Sequence, residues 1–450
     1  MSVVTFDRAL FAFTIGSHII IVSMSISIVL FITILEGLFL FRRKNRYSEL
    51  IYRLKRVFVI SFGVGTASGI VMAVELVNLF PGFMTLLSET GAINLFYAEV
   101  FAFFLETIVL VVYVYFEGAY KWKYSNLVFS SLILLGTLLS AVFITLVNAW
   151  MNTPNGFNIS VYEATGKVTG VSPWAPFLTS SGFSEAVHVT TTTVFAGVMI
   201  WCAYFAYKYL RESDSANKIL YGVMVKMASI SSIVTIILAG VTGSGEMTTL
   251  LSNQPLKYAA LDANYFPGTN APERLFGSIV NGHFVGGIQI PGLQSLLATV
   301  ETGIKLLPGL SQFPSTDWPP LWVHTTFDIM VTGGLLLGLF LFILFILFLT
   351  KRDLLKYRWL LWTQVAAGLS ALVVYEIGWV TDEVGRQPWI VYNVMTVSKA
   401  ANYSSGQLAP GYFIIAFYLV LIPATFYFYD RIFHTIPESS LHNRKRGVEH

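Results

Sequence analysis

Long apolar runs separated by short polar stretches dominate the chain. Nine of these runs reach the length of about 20 residues that a helix needs to cross a hydrocarbon core of about 30 Å. They lie near residues 10–41, 57–80, 92–117, 125–151, 183–209, 216–241, 321–350, 356–381 and 410–430. The alternating period of transmembrane barrel strands is absent. The pattern therefore predicts an all-α polytopic membrane protein with about nine transmembrane helices.

The spacing of the runs divides the chain into three parts. Residues 1–241 hold the first six predicted helices, residues 242–320 form a long extramembrane loop, and residues 321–450 hold the last three helices. Gly, Pro and Asn are scattered through the loop, although Gln254–Phe266 has a helical pattern. Long loops in compact membrane proteins are commonly functional. We find no internal repeat.

Composition supports this class, and the distribution of basic residues predicts the orientation. The 450 residues are 55% hydrophobic and only 12% charged, which is too apolar for a soluble protein of this length. One set of helix ends holds 20 of the 28 Lys and Arg residues, in 42–56, at 121 and 123, and in 208–218, 351–358 and 431–446. Because cytoplasmic ends carry the excess of Lys and Arg, the amino terminus is predicted outside and the carboxyl terminus inside. These residues have no interleaved nucleic-acid motif, so no nucleic-acid partner is predicted.

The single cysteine limits the redox chemistry that the chain could support. Cys202 lies inside the fifth apolar run. One thiol cannot form an internal disulfide, a thiolate iron–sulfur cluster or a covalent c-type haem site. Any redox centre would need other ligands.

Two histidines and one methionine are candidate metal ligands. His18 and His188 lie in predicted helices, roughly 13 Å and 7 Å below the outer ends at 1.5 Å per residue. Met330 lies at a depth similar to that of His188, and a His/Met pair is typical of low-spin electron-transfer haem. The alternatives are histidines that bond neighbouring backbone and a methionine that only packs. Arg8, above His18, would anchor the helix or balance a haem propionate.

Two carboxylates on the third run favour proton transfer. Glu99 and Glu106 are seven residues apart, so they project from one helical face about 10 Å apart. Buried carboxylates in a membrane commonly mark proton relays. Ser140 and Asn148 on the fourth run could extend this line, and helix packing explains each of them equally well.

The stretch Thr381–Trp389 combines an acid, a base and an aromatic residue at the end of the eighth run. Glu383 and Arg386 are three residues apart and share a helical face, and Pro388 ends the helix just beyond them. Charges at membrane depth mark function or a partnered network. An interfacial ion pair that only anchors the helix is the alternative. In the long loop, Lys257 and Asp262 could bind a polar head group, and a solvated loop face is the competing interpretation.

Together these residues resemble subunit I of the cytochrome bd-type quinol oxidases over nearly the whole chain. The most specific motif is GRQPW at Gly385–Trp389, preceded by Trp379 and Glu383. AFFLE at Ala102–Glu106 and the segment Gly136–Pro154 add to it, as do the surroundings of His188 and Met330. Two departures stand out: Asp262 where the family often has Glu, and Asp328 where relatives commonly carry Arg.

The resemblance implies three haems and a quinol substrate. His188 and Met330 would be the axial pair of a low-spin haem b. His18 and Glu383 would serve two high-spin haems, one b-type and one d-type or a b-type substitute, and which residue serves which haem stays open. The resemblance also places Glu99 at or near the oxygen-binding iron, Trp379 and Arg386 beside the haems with Arg386 pairing propionates, and Lys257 and Asp262 in the quinol-binding loop.

The implied activity is oxidation of quinol at the outer face and reduction of dioxygen to water in the prokaryotic cytoplasmic membrane. Protons would come from the inner side along Glu106 and Ser140. A second, related membrane subunit is implied, and the family also allows for a small single-helix subunit.

Other protein classes fit less well. Haem–copper oxidases and dihaem cytochromes b need more membrane histidines than His18 and His188, the two that are predicted firmly inside helices. A haemless scaffold paralogue or a proton-coupled secondary transporter would use the buried carboxylates without haem. A scaffold paralogue would be expected to have lost ligands, and none is missing.

Overall fold

The computed structural model describes residues 2–116, 120 and 122–434, and within them the predicted helical membrane fold is confirmed. The helices in chain order are α1 Val3–Arg42, α2 Asn45–Leu79, α3 Pro81–Thr90, α4 Ile93–Tyr115, α5 Ser125–Asn152, α6 Ile159–Thr165, α7 Gly182–Arg211, α8 Ser215–Asn253, α9 Pro255–Leu261, α10 Leu293–Thr302, α11 Val323–Leu349, α12 Arg358–Gly385, α13 Val397–Ala400 and α14 Leu408–His434. Within the described residues, nine helices are long and apolar enough to cross a membrane: α1, α2, α4, α5, α7, α8, α11, α12 and α14.

Helix α7 lies at the centre of the bundle. It packs against α1, α5, α8 and α12, while α11 joins α8 and α12, and α14 joins α1 and α2. Two glycines permit the closest approaches. A Cβ on Gly197 of α7 would lie 1.9 Å from the Ser23 carbonyl oxygen of α1, and one on Gly368 of α12 would lie 2.4 Å from the Met199 carbonyl oxygen. Small residues at helix crossings of this kind replace the hydrophobic drive that lipid does not supply.

Helix α8 extends past the predicted boundary at residue 241, to Asn253. The sequence after 241 is too polar to count as a membrane run. The helix nevertheless continues because Leu250 and Leu251 are buried against residues of α9 and the following loop. The helical part of the chain therefore reaches Asn253, and the division at 241 falls within a helix.

The segment between α8 and α11 contains short strands that the sequence pattern did not predict. Strand β1 Glu273–Leu275 pairs with β4 Ile288–Ile290, and β2 Ser278–Val280 pairs with β3 His283–Val285, both antiparallel. A third pair, β5 Trp389–Val391 with β6 Met395–Thr396, follows α12. The helix predicted over 254–266 is present but shorter, as α9.

Among the basic residues used to predict the orientation, Lys121 and those at 444–446 lie outside the described residues.

Candidate functional site

The end of α12 holds the predicted Glu383–Arg386 pair. The helix ends at Gly385, as Pro388 predicts. One guanidinium nitrogen of Arg386 donates to Glu383 Oε2 at 2.5 Å. Another donates to the side-chain oxygens of Asn148 and Asn152 on α5, at 2.9 and 2.8 Å. Arg386 is buried, whereas the Glu383 side chain is 39% exposed. Helix α5 therefore fixes the guanidinium, the guanidinium fixes one carboxylate oxygen, and Glu383 stays accessible.

Lys257, in the loop between α8 and α11, reaches this helix end through Asp382, a residue that the sequence interpretation missed. The Lys257 ammonium donates to Asp382 Oδ1, and Asn148 donates to Asp382 Oδ2 at 2.5 Å. A Cβ on Gly385 would lie 2.8 Å from Lys257 Cε, so glycine leaves room for the lysine stem. Asn148 also donates to Glu185 of α7, at 2.9 Å. The available signal was the acid directly before Glu383 in the TDE triplet. Asn148 contributes here and not to the Glu99–Glu106 line.

Two buried donors of the GRQPW motif have no partner among the described residues. They are Arg386 Nε and Trp389 Nε1. Arg8 of α1 reaches the same motif, because its guanidinium donates to Gln387 Oε1 at 3.0 Å. Unpaired buried donors are costly, so a group with acceptor oxygens would relieve them. A haem propionate has this chemistry.

His188 on α7 is held by α8. Its Nδ1 lies 3.1 Å from Thr242 Oγ1, and a Cβ on Gly243 would lie 3.2 Å from its Cε1. No described residue hydrogen-bonds its Nε2. Met330 on α11 packs against α12, where its sulfur would lie 3.2 Å from a Cβ on Gly378. Both α7 and α11 pack against α8 and α12, so the two predicted axial ligands belong to one group of four helices.

His18 on α1 is held in the same way by α2. Its Nδ1 lies 2.8 Å from Ser68 Oγ, and a Cβ on Gly69 would lie 3.3 Å from its Cε1. Its Nε2 has no hydrogen-bond partner within the described ranges. Gly65, one turn away, has no neighbouring atom within 4 Å of its Cβ position, so this face of α2 is open.

The two acids of α4 each contact α5. Ser140 donates to Glu99 Oε1 and Thr137 donates to Glu106 Oε1, both at 2.8 Å. Ser140 thus lies beside Glu99 and not beside Glu106, and Thr137 is the partner that the sequence interpretation missed. Seven residues beyond Glu106 on the same face, Tyr113 donates to Glu36 of α1 at 2.6 Å. Glu99, Glu106 and Tyr113 thus form a row on α4. No hydrogen bond or ion pair in the described part of the chain joins this row to Glu383.

Asp262, in the loop between α8 and α11, is buried and hydrogen-bonded. Gln294 donates to Asp262 Oδ2, and the same amide lies 3.4 Å from the Tyr258 hydroxyl. Burial, and next the negative charge of Glu273, hold the pKa of Asp262 well above its usual value of 3.8. A carboxyl with a raised pKa is suited to accept a proton near neutral pH.

Asp328 of α11 contacts the loop between α8 and α11. Its Oδ2 accepts from the Phe276 backbone N–H at 2.7 Å and lies 3.2 Å from His324 Nε2. His324 Nδ1 lies 2.6 Å from the Leu261 carbonyl oxygen. The expectation of only two histidines firmly in helices is therefore wrong. His324 is a third, near the start of α11, where the apolar run gives little sign of it.

Trp379 contacts the side chain of Tyr375 one turn earlier on α12. The Tyr375 hydroxyl lies 2.7 Å from Thr193 Oγ1 of α7. Trp379 therefore packs where α12 meets α7, on the helix that also carries Glu383.

The described helices form a multi-pass membrane bundle that carries buried polar side chains. The chain belongs to the cytochrome bd terminal oxidase subunit I family, whose profile matches residues 6–437. It is thus a multi-pass subunit of a quinol oxidase complex of the prokaryotic cytoplasmic membrane. The family implies haem cofactors and a quinol substrate.

Known relatives match along almost their full length. "Putative cytochrome bd menaquinol oxidase subunit I" of Bacillus subtilis is 30% identical over 431 residues, which cover 93% of this chain and 94% of the relative. Cytochrome bd ubiquinol oxidase subunit 1 of the same organism is 26% identical and covers 94% and 91%. A bd oxidase structure from Geobacillus thermodenitrificans matches with a TM-score of 0.87 at 27% identity, covering 96% of this chain and 99% of that one.

Proposed function

We propose that the chain holds three haems and couples quinol oxidation to reduction of dioxygen to water. His188 and Met330 would hold a low-spin haem b. His18 and Glu383 would serve a high-spin haem b and a third haem, d-type or a b-type substitute, with Glu99 near the oxygen-binding iron. Bound haem supplies the redox-active iron through which quinol electrons reach dioxygen. The supporting observation is that His18 and His188 are each fixed through Nδ1 by a neighbouring helix while Nε2 is left without a described partner.

Charge pairing at the end of α12 supports a role in holding propionates. Arg386 is fixed by two asparagines, and Arg8 and Trp389 add donors in the same motif. Arg is suited to bind carboxylates because its planar fork of donors remains charged. Trp379 would pack beside the same cofactors.

Quinol would be oxidised at the outer loop, with Lys257 and Asp262 as the binding and proton-accepting residues. Lys257 is paired with Asp382, which lies next to Glu383 in the sequence. The raised pKa of Asp262 suits it to take a quinol proton. Contacts of Asp328 and His324 with Phe276 and Leu261 would hold this loop on α11.

The row on α4 would deliver the protons that water formation consumes. Glu106 with Thr137 lies deeper along the helix than Glu99 with Ser140, by about 10 Å at 1.5 Å per residue. Tyr113 and Glu36 would extend the row inward. Protons would then move from the inside toward Glu99.

The amino terminus would lie outside and the carboxyl terminus inside, which places the loop between α8 and α11 at the outer face. A second, related membrane subunit would complete the oxidase, and a small single-helix subunit would be a further partner. These assignments follow from the distribution of Lys and Arg and from the family.

Reduced-minus-oxidised optical spectra of the purified complex test the haem assignments. We expect His188→Ala and Met330→Ala each to abolish the low-spin band. His18→Ala and Glu383→Ala should instead remove high-spin absorption and leave the low-spin band. His283→Ala, on exposed strand β3, is the matched control and should leave every band unchanged. A haemless scaffold paralogue or a transporter would show no haem bands at all.

A further inference from the structure

The two membrane histidines lie against the same two-residue arrangement on different helices. His18 faces Ser68-Gly69 of α2, and His188 faces Thr242-Gly243 of α8. In both cases a hydroxyl lies at hydrogen-bond distance from Nδ1, and the next residue is a glycine beside Cε1. Two unrelated helix pairs thus position an imidazole in the same way.

The other hydrogen bonds of the two hydroxyls indicate which ring nitrogen carries the proton. A serine or threonine hydroxyl has one hydrogen to donate and two lone pairs to accept with. Ser68 Oγ donates its hydrogen to the Gly65 carbonyl at 2.9 Å. Thr242 Oγ1 lies 2.9 Å from the Leu238 carbonyl and 3.3 Å from that of Ala239. With that hydrogen committed to the helix backbone, each hydroxyl can only accept from Nδ1–H.

We infer that Ser68 and Thr242 are positioning residues that hold His18 and His188 as the Nδ1–H tautomer, with the lone pair on Nε2 for iron. A neutral imidazole with its proton on Nδ1 presents Nε2 as its only ligating nitrogen. A hydrogen bond from the other ring nitrogen also makes a histidine ligand more basic. This inference rests on the proposed haem ligation by these histidines.

The glycines keep each ring within reach of its hydroxyl. Added Cβ atoms would stand 3.3 Å and 3.2 Å from Cε1 of His18 and His188, closer than ordinary van der Waals contact. A methyl group at either position would therefore push the imidazole along the helix face. Gly243→Ala should act in the same direction as loss of the Thr242 hydroxyl.

The midpoint potential and optical spectrum of the low-spin haem in the purified complex test the inference. In Thr242→Val the side chain keeps its shape and loses the acceptor. The imidazole then donates less electron density, ferric iron is less stabilised, and the potential should rise above that of the unaltered protein. Thr242→Ser restores the hydroxyl and should restore the potential. If Thr242→Val does not accumulate, Thr242→Ala compared with Thr242→Ser carries the same test.

Ser68→Ala provides the cross-control. It should alter the high-spin spectrum and leave the low-spin potential unchanged, with Ser68→Thr retaining the original spectrum. A Thr242→Val potential equal to that of the unaltered protein, or equal haem loss in the Val and Ser variants, would overturn the inference. Persistence of the low-spin band in His188→Ala would instead overturn the haem assignment itself.

Discussion

Single side chains at the end of α12 connect the loop between α8 and α11 to the membrane bundle. Lys257 is 5% exposed and its ammonium is paired with Asp382, whose other oxygen accepts from Asn148. An ammonium at this depth needs a partner because removing one member of a buried pair leaves the other charge uncompensated.

Asp382→Ala should therefore destabilise the protein by roughly 3 kcal/mol, the scale for breaking a buried pair. The measurement is thermal unfolding of the detergent-purified complex. In the double variant Lys257→Ala, Asp382→Ala the loss should be smaller than the sum of the two single losses, because contacting residues are not additive. Strict additivity would show that the pair contributes nothing.

Asp262 should give quinol oxidation a pH dependence well above the usual carboxyl range. Its pKa is raised by burial, so the ionised, proton-accepting form is populated only above that raised pKa. Activity should fall as pH decreases through it. Stability changes in the opposite direction: the stabilising contribution is full below the unfolded pKa of 3.8 and is lost as pH rises through the folded pKa.

Asp262→Asn should slow quinol oxidation about 100-fold, the lower end for loss of a general base, and should flatten this pH dependence. Stopped-flow reduction of the haems by quinol, followed across pH, measures both effects. Glu301→Gln, an exposed acid on α10, is the control. An unchanged pH profile in Asp262→Asn would remove Asp262 from the reaction.

At the scale of helices, the row on α4 depends on its register with α5. Glu106 is buried, and Thr137 is its hydrogen-bond donor. Glu106→Gln should slow oxygen consumption about 100-fold while the haem spectra persist, because a glutamine amide cannot relay a proton. Thr107→Val on α4 is the control, since the Thr107 hydroxyl bonds only its own helix backbone. Unchanged oxygen consumption in Glu106→Gln would contradict this route.

A second feature at the scale of helices is the contact of Asp328 on α11 with Phe276 in the loop between α8 and α11. Asp328→Ala would remove the acceptor of the Phe276 N–H, at a cost of about 0.5–1.5 kcal/mol, because Phe276 is exposed and water can replace part of the bond. We expect faster proteolysis within the loop between α9 and α11, measured by peptide mass spectrometry. Asp328→Asn keeps a carbonyl acceptor and should be cleaved more slowly than Asp328→Ala. Equal cleavage of the two variants and the unaltered protein would show that the loop does not depend on this contact.

At the scale of the whole molecule, the apolar runs predict the nine membrane helices because burial in lipid constrains length and composition directly. The length of the apolar run does not predict where α8 ends. The polar part of this helix, up to Asn253, is stabilised by tertiary packing and not by lipid. The contact between Glu383 and Arg386 could be predicted from their spacing. Asp382, Thr137 and Thr242 could not, because their significance arises only from neighbours distant in sequence.

Orientation is a property of the whole chain, and cysteine labelling in intact cells tests it. The native Cys202 is 2% exposed, so background labelling should be low. Ser278→Cys lies in exposed strand β2 of the loop predicted outside, and Ser213→Cys lies between α7 and α8 beside Lys208 and Arg211. Since basic ends stay in the cytoplasm, a membrane-impermeant maleimide should label Ser278→Cys in intact cells and Ser213→Cys only after the cells are broken. The reverse labelling pattern would place the loop between α8 and α11 inside the cell and refute the proposed orientation.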